Sequence, residues 1–187
     1  MNYIREYICI CFCLFANQCT VQKIHNTDPK IIYAGEYVLY GAEKFSGILE
    51  ARMEAVNVTR HSPYSNGLLD GTEKEWYGNG QLSAERFYSE GKKVGVHRGW
   101  YPDGKDRLLY EYEDGEFHGN IWEWNSSGTL VILAKFENGT FLGKKIWRPD
   151  GQIYANFVMR GNRAIGQAGS KLCFQIRSDE NKKTISF

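Results

Sequence analysis

The residues with chemistry to offer are four histidines, twenty-two carboxylates and five cysteines, and their spacing limits what reactions the chain could run. His97 and His118 have no Ser or Cys recurring beside them at the spacing of a nucleophile and its base, so they read as solvent-facing or turn histidines. Glu73 and Glu75, or Asp103 and Asp106, stand close in sequence, but nothing singles out a pair for acid and base roles. The segment GTFLGKK, from Gly139, lacks both the four-residue gap between glycines and the Ser or Thr after lysine that a phosphate loop needs. Cys9, Cys11, Cys13 and Cys19 crowd the N-terminus and leave Cys173 alone. That spacing offers no internal disulfide and no CxxC ligand pair, and Cys173 reads as a small buried residue. No metal or cofactor is expected.

Aromatic residues are the stronger candidates. Trp76, Trp100, Trp124 and Trp147 recur as a row, with Tyr77, Tyr101 and Trp122 beside them. Such a row can contact a partner's apolar side chains or the faces of sugars. It can equally be what repeat packing demands, and the sequence leaves both readings open.

A repeat must position this row. YSNGLLDG, YSEGKKVG, YEDGEFHG and FENGTFLG each place an aromatic, a glycine three residues on and a second glycine four residues later. Their glycines fall at 67, 91, 115 and 139 and again at 71, 95, 119 and 143, a period of 24. Between them recur EWYGNGQL, GWYPDGKD, EWNSSGTL and, one residue short in period, IWRPDGQI. Asn-Gly, Pro-Asp-Gly and Ser-Gly supply the backbone angles of tight hairpins, so each period holds two turns and two short strands. The array is expected to be an antiparallel meander of 24-residue β-hairpins.

Period-two alternation then sorts the strand faces. Leu82, Ala84, Arg86 and Tyr88 share a face with Leu108, Tyr110 and Tyr112, with Leu130, Ile132, Ala134 and Phe136, and with Ile153, Ala155, Phe157 and Met159. That face is largely apolar and needs a cover, for which segments 31–61 and 167–180, the curl of the sheet, a second copy or a partner are available. The alternate face is mostly polar, interrupted by Phe87, Leu109, Val131 and Leu133.

The run from Gly71 to Gly95 and its three successors, about residues 62–166, resembles the MORN repeat in its bacterial variant, the YwqK-like family often labelled toxin–antitoxin antitoxins. The resemblance implies an all-β, elongated repeat sheet over residues 35–166, with a degenerate leading hairpin around Phe45-Ser46-Gly47-Ile48-Leu49. It also implies a non-catalytic protein whose partner would be a toxin.

The flanks read separately. Arg5 followed by an apolar run from Tyr7 to Ala16 suits an export signal over residues 1–18, being too short to span a bilayer as a helix. Cys19 stands where a lipoprotein signal would place its lipidated cysteine, so membrane attachment through the N-terminus and a periplasmic or envelope location are expected. Residues 19–34 read as linker, and 167–187 as a capping strand and polar tail. A formal charge of +1, from 23 basic and 22 acidic residues, leaves no footprint for nucleic acid. Asn57, Asn125 and Asn138 begin glycosylation sequons, which matter only in a eukaryotic secretory pathway. The expected function is an exported, non-catalytic scaffold or protein-binding module. The alternative is a cell-surface glycan-binding or glycan-hydrolysing protein, with the tryptophan row as platform and Glu75 or Glu123 as catalyst.

Overall fold

The computed structural model describes residues 21–167; residues 1–18, Cys19, Cys173 and the segment from 168 onward lie outside them. In chain order the strands are β1 Lys23–His25, β2 Ile31–Ala34, β3 Tyr37–Tyr40, β4 Glu43–Lys44, β5 Gly47–Met53, β6 Val58–Ser65, β7 Leu68–Leu69, β8 Gly71–Tyr77 and β9 Leu82–Ser89. They continue as β10 Lys92–Lys93, β11 Gly95–Trp100, β12 Asp106–Glu113, β13 Glu116–Trp124, β14 Leu130–Glu137, β15 Thr140–Trp147, β16 Ile153–Arg160 and β17 Arg163–Gln167. From β5 onward, successive long strands pair antiparallel in chain order, which is the expected meander, and β1 adds to its first edge parallel to β5. The fold is all-β and extended along one sheet. Helical backbone is confined to one 3-10 turn, Glu54–Val56, among the described residues.

The stretch expected to be linker contributes β1 and β2. Residues 31–44 fold as a small three-stranded sheet, β2-β3-β4, joined to the main sheet by backbone. Val38 N–H donates to the Gly67 carbonyl, Gly67 N–H to Phe45 and Phe45 N–H to Val38. Ile24, Val38, Phe45 and Leu49 make a buried cluster at this junction, with Ile31, Tyr40 and Tyr64 against it. Of the expected cover, the part at 31–61 is therefore local, and 168–180 lies outside the described residues. Residues 47–53 and 58–65 are strands of the sheet itself, and among the described residues 31–44 packs over its beginning.

Two turn types alternate down the array. At the aromatic-Gly-Gly units the loops have two residues, and both take positive φ: Asn66 and Gly67, Glu90 and Gly91, Asp114 and Gly115, Asn138 and Gly139. This is the type I′ hairpin, whose twist matches that of the strands it joins. The turn glycines also tie neighbouring repeats together. The N–H groups of Gly67, Gly91, Gly115 and Gly139 donate to the carbonyls of Phe45, Leu69, Lys93 and Phe117, always 22 residues earlier. Phe45 thus stands one period before Leu69, which identifies the leading repeat.

At the tryptophan end each loop has three residues and closes identically. Gly80 N–H donates to Tyr77, Gly104 to Tyr101, Gly128 to Asn125 and Gly151 to Arg148. One strand then carries an extra residue, Ser83, Arg107, Val131 or Tyr154, opposite the tryptophan of its partner strand. The short fourth period is absorbed elsewhere. Between Tyr110 and Tyr112 the pairing skips from Ile121 to Phe117, whereas between Lys135 and Phe136 it skips only from Gly143 to Phe141. A side chain at Gly143 would meet the Phe157 carbonyl at 2.5 Å, so the tightened bulge requires glycine.

A one-layer sheet gives little interior, and no large side chain is completely buried among the described residues. Lateral contacts compensate. Rings of Tyr88, His97, Tyr112, Phe117, Phe136, Phe141 and Phe157 follow one another with centroids 4.5–6.1 Å apart, a range in which aromatic pairs add attraction beyond area burial.

If the hairpin is the unit, deleting residues 96–119 removes β11 and β12 and leaves every later strand running in its original direction. That variant is expected to unfold cooperatively in a thermal melt, a few degrees below the parent. Deleting only 96–107 inverts the direction of all later strands and should abolish the cooperative transition; equal melting temperatures for the two would refute the unit.

Candidate binding face

Register assigns the two faces. Residues paired across strands share a face, and one row runs Arg60, Glu75, Ala84, Gly99, Leu108, Glu123, Ile132, Ile146 and Ala155. This is the face expected to be dry, and it holds the buried Ala84, His97, Ile121, Ala134 and Ala155; Leu82, Leu130 and Ile153, expected on it too, pair instead with Trp76, Trp124 and Trp147, because the extra residue of each bulge reverses the alternation there. Its apolar character needs correction at the N-terminal end, where Ser62, Glu73 and Glu75 are buried. Arg86 Nη1 lies 2.8 Å from Glu73 and 3.0 Å from Glu75, its second Nη donates to Glu75, and Ser62 Oγ donates to Glu73 at 2.7 Å. Arg60 approaches both carboxylates from the adjacent strand, β6, at 3.8–3.9 Å. Burial opposes the charge on Arg86, while the hydrogen bonds and charges of Glu75 and Glu73 more than offset it, so its pKa is raised.

His97 differs from the sequence expectation. His97 is 3% exposed and sits in the ring ladder between Tyr88 and Tyr112. Its Nε2 lies 2.8 Å from the Phe87 carbonyl, a contact that places a proton on Nε2. Burial pushes its pKa down, and the nearby Lys93 and Arg86 charges add to this. The His118 side chain stays partly open to solvent, near Glu113 and Asn138. Tyr110 donates to Glu123 at 2.6 Å, and burial followed by that bond raises its pKa. Tyr88 is pushed up to about 12, mainly by burial.

The tryptophans lie on the other face. Trp76 pairs with Thr59, and its ring meets His61 edge-on at 4.8 Å. Trp100, Trp124 and Trp147 each follow a residue of the inner row, so alternation places them outward too. Strand spacing sets them roughly 10 Å apart. Trp122 pairs with Leu109 and Leu133 on this same face. All five tryptophans are half-buried. Tyr77 and Tyr101 separate from them. Their hydroxyls donate at 2.8 Å to the carbonyls of Trp100 and Trp124, 23 residues on, bolting one repeat to the next. In the third repeat Asn125 holds the equivalent place and accepts N–H groups of Ser127 and Thr129 within its own turn.

The structure thus brings the tryptophans together and assigns the tyrosine hydroxyls to inter-repeat bonding. Sequence reasoning missed the Arg–Glu network, whose one visible signal was Arg86 standing in an otherwise apolar alternation. No group of three or more His, Cys, Asp or Glu side chains able to hold a metal occurs among the described residues. No known family model matches this chain, and no curated protein matches it.

Arg86→Ala strands two buried carboxylates and should cost about 3–5 kcal/mol in urea unfolding. Combining Arg86→Met with Glu73→Gln and Glu75→Gln should recover much of that loss; a neutral Arg86→Ala would show the network to be idle.

His97, with a lowered folded pKa, contributes stability that is complete above its unfolded value of 6.5 and is lost as pH falls through the folded value. The melting-temperature gap between the parent protein and His97→Phe should therefore narrow from about pH 7.5 to about pH 5.5. A constant gap would mean that His97 is not held neutral by the fold.

Proposed function

We propose that this chain is a non-catalytic MORN-like repeat protein of the exported, envelope-associated kind, whose tryptophan face binds a protein partner. The observation that supports this is the division of labour between faces. The carboxylates that could act as catalysts sit on the inner face and are engaged, Glu73 and Glu75 by Arg86 and Glu123 by Tyr110. The aromatic row lies on the opposite face. The antitoxin label of the resembling family would make the partner a toxin, and the expected signal at residues 1–18 with Cys19 would place the encounter at the cell envelope.

The glycan-hydrolysing alternative finds less support. Glu75 and Glu123 are separated by four strand steps, roughly 19 Å at ~4.8 Å per step, against about 5–9.5 Å between the paired carboxyls of glycosidases. Neither shares a face with the tryptophans.

The test compares turnover with capture. The intact protein should hydrolyse nothing in a panel of cell-wall and exopolysaccharide oligomers, and affinity capture from the native organism should return a protein that binds in purified form. Turnover that disappears in Glu75→Gln or Glu123→Gln would replace this reading with the enzymatic one.

A further inference from the structure

The apolar interruptions of the outer face converge on one place. Across β12, β13 and β14 the row reads Leu109, Trp122, Leu133, and its continuations on β11 and β15 are Arg98 and Lys145. An apolar centre is thus flanked by a cation on each side, each about 10 Å from Trp122 by strand spacing. Lys135 lies diagonally beside the centre, opposite Asn120.

The nearby carboxylates have partners other than Arg98 and Lys135. Glu85 faces Arg98 in register, but its carboxylate is 3.2 Å from Lys74 Nζ. Glu111 accepts the Asn120 N–H at 2.6 Å. Arg98 and Lys135 are exposed and form no ion pair among the described residues, while Lys145 lies over the Trp147 ring at 5.7 Å. Arg98 and Lys135 are therefore two exposed cations without an ion-pair partner among the described residues, on either side of a half-buried aromatic.

We propose that the Trp122 patch is a docking surface for an extended acidic polypeptide segment carrying apolar anchors, a proposal that rests on the protein-binding reading above. Carboxylates of the segment meet Arg98 and Lys135, and a side chain between them packs on Trp122. The immediate neighbours of Trp122 favour polypeptide over sugar. They are Leu109 and Leu133, which accept aliphatic or aromatic groups, whereas a saccharide ring brings hydroxyls that these leucines leave unpaired.

The test uses three synthetic probes on the intact protein: a fluorescent alternating Glu-Leu decapeptide, its Lys-Leu counterpart and an oligouronate of similar length. Saturable binding is expected for the Glu-Leu peptide alone, weakening as salt is raised. Trp122→Ala should weaken it about tenfold or more, as should Arg98→Glu with Lys135→Glu, and Trp122→Phe should restore part of the loss. Far-ultraviolet circular dichroism and melting temperature serve as the folding control, and the charge-reversal pair keeps the test decisive if Trp122→Ala misfolds. Absence of saturable Glu-Leu binding, equal binding of the Lys-Leu peptide, preference for the oligouronate or indifference to both sets of substitutions would each overturn the proposal. The captured partner separates the two readings. If it still binds the charge-reversed protein with unchanged affinity, protein binding stands and this surface falls; if no partner binds the parent protein either, the wider reading falls with it.

Discussion

The structure depends on one constraint: a single-layer sheet cannot bury large side chains, so its strands must be held by bonds running sideways. Two sets of such bonds recur with the period. Turn glycines donate backward to a carbonyl 22 residues earlier, and Tyr77 and Tyr101 donate forward to a carbonyl 23 residues later. They act at opposite ends of the strands, so both margins of the sheet are fastened. The ring ladder runs beside the glycine margin and supplies the apolar contact that a second layer would otherwise provide.

The Arg60–Glu73–Glu75–Arg86 network belongs to the same problem. Buried ion pairs give little net stability when well-packed apolar residues could replace them, but replacement needs a layer to pack against. Over β8 and β9 the inner face takes no large apolar core, and Arg86, Glu73 and Glu75 pair with one another instead. Their removal in part is costly because buried carboxylates remain. A buried pair that stabilises little but punishes disruption fixes the register of its strands more than it adds to their free energy.

The sequence displayed the periodic parts of the fold and hid the rest. Gly67, Gly91, Gly115 and Gly139 announced themselves because the type I′ turn tolerates few other residues at that position. Alternation located the inner face from Ala84, Ile132 and Ala155 onward but misplaced Leu82, Leu130 and Ile153, because the bulge between them and the rest of the strand left no mark in the sequence. The pairing of β1 with β5 was not legible, since three residues of parallel strand carry no pattern. Nor was the small sheet at 31–44, whose strands have two to four residues. His97 misled because it occupies a different repeat position from the rings it joins: Lys93 holds the place that Phe117 and Phe141 fill in later repeats, and it lies over the Tyr112 ring instead. At the candidate face, the tryptophan spacing was plain from sequence, but assignment of Tyr77 and Tyr101 to repeat bonding required their hydroxyl partners.

Length variation shows where the array can change. The short fourth period loses its residue at the glycine margin, where the bulge opposite Phe136 contracts, while the tryptophan-margin bulge keeps its form with Tyr154. The glycine margin tolerates a changed bulge because its turn bond and ring contact lie on either side of it. The tryptophan margin couples loop closure, bulge and the outward aromatic in one unbroken run, Trp76 to Ser83 in the first repeat, so a lost residue there would turn the tryptophan to the inner face. Variation confined to side chains of the outer row, such as Arg98, Leu109, Trp122 and Leu133, disturbs neither margin. Recognition can therefore diversify on that face while the repeat geometry stays fixed.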